Sequence, residues 1–224
     1  MVSEHRANLE MAEVALEERR LPIVLSRLLS RSSNVVDVGG HIGSFTSLAR
    51  QFAPEGKHTI IEASATKANW LRRHFPDCRI EPVAVSDRIG TAMFHEDSDR
   101  PGYSKLSEES GPNRSEVKTV TLDSLNLGKV HLLKLDIEGA ELAALRGATR
   151  LVEDRRPAII FECGPEGNEG LDRGGLFEHV TKEMRYDILT FADFLYSKGP
   201  LGFDDFRKCG IYPFRAFNFV ALPR

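Results

Sequence analysis

Between Asp37 and Gly43 the chain reads Asp-Val-Gly-Gly-His-Ile-Gly, a run of residue types better suited to meeting a ligand than to filling a core. Gly39, Gly40 and Gly43 permit positive φ and let a ligand approach the backbone, while Asp37 can accept hydrogen bonds from a ligand ammonium. Glu62 stands nineteen residues after Gly43 at the end of the next apolar run, where a carboxylate can accept from two ribose hydroxyls. Together these features describe an adenosine-type ligand. A dinucleotide fingerprint starting at Gly39 would need glycine at 41 and 44, where His41 and Ser44 stand, and the turn has no lysine of the kind a phosphate-binding loop requires. A nicotinamide-dependent oxidoreductase is therefore the weaker alternative.

Acids form the second group. Asp136 ends an apolar run, Glu138 and Glu141 follow it, and Glu162 ends the next such run. Asp136, Glu138 and Glu162 could hold a hard divalent cation such as Mg2+ that activates a hydroxyl, or one of them could accept the proton directly. The opposing reading is structural: acids at 138 and 141 suit the first turn of a helix through its dipole, and Lys134, on the same strand face as Asp136, suits a salt bridge. His41, inside the turn, is the histidine best placed for catalysis, because its pKa lies near neutrality.

These residues need a scaffold, and the hydrophobic pattern supplies one. Asn34–Val38, His58–Glu62, Arg79–Val85, His131–Asp136, Ala158–Glu162, Tyr186–Phe191 and Asn218–Leu222 read as strands. Helices are predicted through Phe52, over Thr66–Phe75, from near Glu138 to about Arg155, and over Phe177–Met184. Alternating strands and helices imply a parallel sheet with helices on both faces. Thr91–His95 and Val117–Leu122 read as further short strands around a long polar loop, Glu96–Glu116, in which Tyr103, Ser104 and Lys105 could form a lid. The first 33 residues read as a helical extension, divided in two by Pro22, ahead of a domain over 34–224. The aromatic-rich stretch from Phe191 to Phe219 reads mostly as core, with some rings available to wall an acceptor pocket.

Composition narrows the partners. With 30 Lys and Arg against 33 Asp and Glu there is no basic field for a phosphate backbone, and no apolar run is long enough for a bilayer. The partner expected is a small molecule rather than nucleic acid or a membrane, with a homodimer as the assembly to test. Three separated cysteines, Cys78, Cys163 and Cys209, read as reduced thiols in a cytoplasmic enzyme.

Val35-Val-Asp-Val-Gly-Gly-His-Ile-Gly-Ser-Phe-Thr46, followed by Leu133-Lys-Leu-Asp-Ile-Glu-Gly-Ala-Glu141 and Leu145-Arg-Gly-Ala148, resembles the FkbM family of S-adenosylmethionine-dependent methyltransferases. Ala84-Val-Ser-Asp87, Thr121-Leu-Asp-Ser-Leu125 and Asn218-Phe-Val-Ala-Leu-Pro223 extend the likeness to the end of the chain, and the first 33 residues carry none of it. The resemblance implies a Rossmann-like class I fold, a seven-stranded mostly parallel sheet with an antiparallel last strand. It also implies methyl transfer to a hydroxyl of a sugar or natural product. By the same resemblance Asp37, Gly39 and Gly43 line the methionine and ribose side of the cofactor, Glu62 the ribose, and Ser86 and Asp87 the adenine. Gly40, His41 and Asp136 complete the expected cofactor set. Family turns usually read Gly-Ala-Asn-Ile-Gly, so Gly40 and His41 are a departure. A module that binds S-adenosylmethionine without catalysis is the third reading.

Overall fold

A computed structural model of the chain describes residues 2–95, 105–107, 114–167 and 171–224. Its strands in chain order are β1 Val35–Val38, β2 His58–Ile61, β3 Arg79–Glu81, β4 Ala84–Val85, β5 Gly90–His95, β6 Lys105–Ser107, β7 Arg114–Val120, β8 Leu132–Leu135, β9 Ala158–Glu162, β10 Tyr186–Thr190 and β11 Asn218–Pro223. The helices are α1 Val2–Leu28, α2 Ser44–Phe52, α3 Ala65–His74, α4 Glu141–Arg146, α5 Thr149–Arg155, α6 Arg173–Glu178, α7 Phe191–Leu195 and α8 Phe203–Cys209. The main sheet has seven strands in the order β10-β11-β9-β8-β1-β2-β3, with β11 antiparallel to both of its neighbours and the rest of the order parallel. This is the Rossmann-like architecture expected.

Strands covered on both faces must be apolar throughout, and β1 (Val-Val-Asp-Val) and β8 (Leu-Leu-Lys-Leu) are buried at every position. Their alternation sorts the core into two layers. Leu133, Leu135, Ile159, Phe161 and Phe219 join the cluster that contains Leu145 and Phe206. Leu132, Ile160, Val220 and Val35 face the other way and pack with Val24, Leu25, Ala49 and Phe191 from α1, α2 and α7. Asp37 and Lys134, the polar interruptions of these strands, both belong to the second face and are register partners.

Several elements differ from the sequence reading, each for a local reason. Pro22 lies inside a continuous α1. An interior proline costs a helix about 3 kcal/mol, and the complete burial of Val24 and Leu25 one turn later offsets that. The third strand is broken into β3 and β4. The stretch taken as a loop contains β6, which pairs with β5 in a second, four-stranded sheet of order β4-β7-β5-β6. Tyr103 and Ser104 lie outside the described residues, as does most of that loop. The helix after β8 starts at Glu141, not Glu138, because Glu138 and Gly139 both adopt positive φ, 52° and 94°. It is then divided at Gly147, whose α-carbon lies so close to the Ser86 carbonyl that a Cβ would collide. The helix before β10 begins early, at Arg173, and continues into a π-helical turn over His179–Glu183.

Candidate active site

The carboxyl ends of β1, β2, β8 and β9 open onto a cleft of about 560 Å3, within the range of small-molecule sites. Its floor is the glycine turn. Gly39 and Gly40 donate their N–H groups to the Ile61 carbonyl at 2.9 and 3.1 Å, which ties the turn to β2. Gly39 (φ 80°) has no room for a side chain, because a Cβ would strike the Asp136 carbonyl oxygen. Gly43 (φ 79°) begins α2 with the Phe75 ring in the place a Cβ would occupy. His41 adopts φ 49° and its N–H donates to Glu62 Oε2 at 2.8 Å. Here the backbone, rather than a side-chain amide, makes the link that the family's asparagine would be expected to influence.

Glu62 lines the cleft and also accepts from the Ser64 N–H at 2.8 Å. Burial raises its pKa, an effect opposed by these two backbone donors. Each oxygen keeps a lone pair for a ribose hydroxyl.

Asp37 has a different position from the one its place in the motif suggested. It is 1% exposed and does not line the cleft. One oxygen accepts from Thr46 Oγ1 at 2.7 Å and the other lies 3.3 Å from Lys134 Nζ. Lys134 Nζ also lies 3.1 Å from Asp136 Oδ2 and 3.3 Å from the Gly39 carbonyl, with the Phe45 ring 5.7 Å away. Burial alone would lower the lysine pKa, but the two carboxylates outweigh it and raise it. The ammonium therefore pins β1, β8 and the glycine turn together beneath the cleft.

Asp136 and Glu138 line the cleft, and Glu162 shares a side-chain hydrogen bond with Asp136. Burial works to raise the Asp136 pKa, yet Lys134 and the Glu162 hydrogen bond more than reverse it, so Asp136 stays ionised. Burial and the adjacent Asp136 charge push Glu162 well above the usual carboxylate range. The two carboxyls are thus shifted in opposite directions, Asp136 toward its charged form and Glu162 toward its neutral one, which suits Glu162 to donate the hydrogen bond they share.

Glu141, 2% exposed, accepts from the Ile137 and Gly139 N–H groups at 2.9 and 3.0 Å and shapes the loop that presents Glu138. The four acids therefore separate: Asp136 and Glu138 line the cleft, Glu162 reaches it only through its hydrogen bond to Asp136, and Glu141 is structural. The expected cation site needs correction: among the described residues no three His, Cys, Asp or Glu side chains are arranged to hold a metal. Asp136 is turned to Lys134, and Glu162 is hydrogen-bonded to Asp136.

Ser86 and Asp87 do not line the cleft. The neighbouring part of the wall is formed instead by Val83, Ala84, Val85 and Phe94. Nor does the Phe191–Phe219 stretch contribute rings; Phe206, Phe214 and Phe217 are buried in the core, and the aromatic lining comes from Phe45 and Phe94. His58, at the start of β2, is buried and bonds the Ala53 carbonyl through Nε2 at 2.9 Å. Sequence reasoning also missed Glu18, Leu21 and Asn218, cleft residues from the two ends of the chain. No spacing within the motifs refers to them.

The fold and site define a Rossmann-like methyltransferase architecture, and comparison with known proteins agrees. The chain is similar in structure to a methyltransferase FkbM from Methylobacillus flagellatus KT, with a TM-score of 0.57 and 16% identity over 87% of this chain and 44% of that one. It is also similar to the StiE O-MT segment, with a TM-score of 0.51 and 12% identity over 94% of this chain and 75% of that one. The chain thus spans less than half of the first of these relatives. No curated protein matches it by sequence. The profile of the methyltransferase FkbM domain matches residues 37–195, and the chain belongs to that family. Membership favours S-adenosylmethionine over the nicotinamide cofactor that the glycine turn alone left open. No described helix is long and apolar enough to cross a membrane.

Proposed function

We propose that the protein transfers the methyl group of S-adenosylmethionine to a hydroxyl of a small molecule, with sugars and natural products of polyketide type as the acceptors to test. The cofactor fits the residues present. Gly39 and Gly40 line the cleft with backbone, Glu62 offers acceptors for a ribose, and Val83, Val85 and Phe94 offer an apolar slot for a base. When bound, the cofactor supplies an electrophilic methyl group.

The observation that carries the reading is the hydrogen-bonded Asp136–Glu162 pair beside the glycine turn, with Lys134 Nζ 3.1 Å from Asp136. A hydroxyl becomes a competent nucleophile only if its proton has somewhere to go as the carbon–oxygen bond forms. Asp136, ionised by Lys134, accepts the hydrogen bond from the acceptor hydroxyl and then its proton. Glu162 donates to the other side of Asp136 and holds the carboxylate in place. Glu138 and His41, which also line the cleft, stand beside the acceptor.

The experiment is binding and turnover on the same variants. Calorimetry with S-adenosylhomocysteine measures the cofactor site, and labelled methyl donor with a panel of hydroxylated metabolites measures transfer. Asp136→Asn is expected to lower turnover about 10²- to 10⁴-fold, the usual worth of a positioned base. Glu162→Ala is expected to remove turnover while cofactor binding stays within threefold. Unaltered turnover in both variants rejects the pair as the proton acceptor. Absence of S-adenosylhomocysteine binding by the unmodified protein rejects the function.

A further inference from the structure

We propose that helix α1 builds the acceptor half of the cleft, with Leu21 and Glu18 touching the acceptor and selecting one that donates hydrogen bonds and carries no anionic group. This rests on the methyl-transfer reading above.

The sheet order divides the cleft. Glu62 at the end of β2, with Val83, Val85 and Phe94 beyond it, occupies one end, and the glycine turn and Asp136 lie centrally over β1 and β8. The opposite end lies over β9 and β11 and is lined by Ile160, Asn218, Leu21 and Glu18. A cofactor whose adenosine occupies the first end directs its reactive group toward the second. That end therefore belongs to the acceptor, and half of these four residues come from a helix outside the matched family segment 37–195.

α1 is fixed there by a specific device. The Glu17 carboxylate, 3% exposed, accepts from the Phe217 N–H at 3.1 Å, from the Asn218 N–H at 3.1 and 3.2 Å, and from Asn218 Nδ2 at 2.9 Å. Asn218 is the register partner of Glu162 across β11 and β9. A carboxylate from residue 17 is thus latched onto the strand beside the Asp136–Glu162 pair, and the next residue, Glu18, is delivered to the cleft. Leu21, one turn later, packs in the same layer as Phe45 and Leu48, which continue the apolar wall.

The chemistry of this half is one-sided. Glu18 and Asp136 offer only acceptor oxygens, the Asn218 amide nitrogen is given to Glu17, and Lys134 is held by Asp37, Asp136 and the Gly39 carbonyl, while the other basic residues of the cleft, His41 and Lys67, lie in the glycine turn and beside Glu62. Hydroxyl or ammonium donors complement such a surface. A phosphate or carboxylate would meet like charge.

Aza analogues of S-adenosylmethionine, with nitrogen in place of sulfur and a variable substituent in place of the methyl group, test this without a known acceptor. The probes carry benzyl, 3-aminopropyl or 2-carboxyethyl, with S-adenosylhomocysteine as reference, and binding is read by calorimetry. The unmodified protein is expected to bind the aminopropyl probe at least fivefold tighter than the carboxyethyl probe, and Glu18→Gln to reduce that preference at least threefold. Leu21→Trp is expected to weaken the benzyl probe tenfold or more, and Leu21→Ala to leave it equal or tighter, with the reference within twofold in all variants. Reference binding without these differences overturns the placement of the acceptor under α1. Loss of reference binding in the unmodified protein overturns the methyltransferase reading and this inference with it.

Discussion

Lys134→Met isolates the interaction on which the site depends. At 3.3 Å from Asp37 and 3.1 Å from Asp136, the ammonium gains about 5 kcal/mol from each carboxylate at an effective dielectric near 20. Desolvating three charges cancels most of that gain, so the intact cluster contributes little net stability. Removing one member is a different matter. Asp37 is 1% exposed and would keep a single hydrogen bond, from Thr46, so its charge would stay buried and uncompensated. Breaking a buried pair from one side costs about 3–5 kcal/mol. In a chain of this size that lowers Tm by about 6–20 °C. Urea unfolding followed by circular dichroism measures the difference. The double variant Lys134→Met/Asp37→Asn, which removes the stranded charge as well, is expected to recover at least half of the loss. A single-variant loss below about 1 kcal/mol, or strictly additive losses in the double variant, would refute the claim that this ammonium and Asp37 form one buried unit.

Gly39→Ala places a Cβ against the Asp136 carbonyl at a φ of 80°, and is expected to abolish S-adenosylhomocysteine binding while costing about 1–3 kcal/mol of stability, measured by calorimetry and melting. Glu141→Gln keeps one acceptor for the Ile137 and Gly139 N–H groups and loses the charge; a stability loss of about 1.5–3 kcal/mol is expected, and turnover should fall more than cofactor affinity because the loop carries Glu138. The pH response follows from the direction of the shifts. Asp136 is held below its ordinary value of 3.8, so its stabilising contribution is present above about pH 4 and lost as pH falls further. Glu162 is held above 4.5, so its ionisation in the folded state is unfavourable and stability declines as pH rises through its raised pKa; Glu162→Gln should lessen that decline in a stability-against-pH profile, leaving the part due to Glu62 and Glu141, which are also raised.

Legibility in the sequence depended on how far apart the cooperating residues lie. The strands ending at Val38, Asp136 and Glu162 were readable because a buried parallel strand is an uninterrupted apolar run. The Lys134–Asp136 contact was readable because residues two apart in a strand share a face. Asp37 illustrates the limit. Its motif position suggested a ligand contact, but its direction was set by the register of β1 with β8, which puts Lys134 directly opposite. Glu138 and Glu141 looked alike as acids of a first helical turn; only the left-handed backbone at 138 and 139 separates a rim residue from a buried cap. Nothing local marks Val83, Phe94, Glu18 or Asn218, because a cleft wall assembled from distant segments has no sequence period.

The two halves of the cleft differ in the same way, and the difference bears on how specificity would arise. The glycine turn and Glu62 lie within one strand–helix–strand unit, joined by backbone hydrogen bonds from Gly39, Gly40 and His41, so their geometry changes little with the rest of the fold. The half over β9 and β11 is assembled from α1, β9 and β11, and beside the core contacts of Val24 and Leu25 it is tied by a carboxylate reaching across 200 positions of sequence. Changes to Glu17 should therefore disturb acceptor recognition before cofactor binding. Glu17→Gln retains one acceptor oxygen where several hydrogen bonds converge. It is expected to loosen α1 locally, raising hydrogen exchange at Phe217 and Asn218 while S-adenosylhomocysteine affinity stays within threefold. Equal loss at both ends would mean that α1 supports the whole sheet rather than one half of the site.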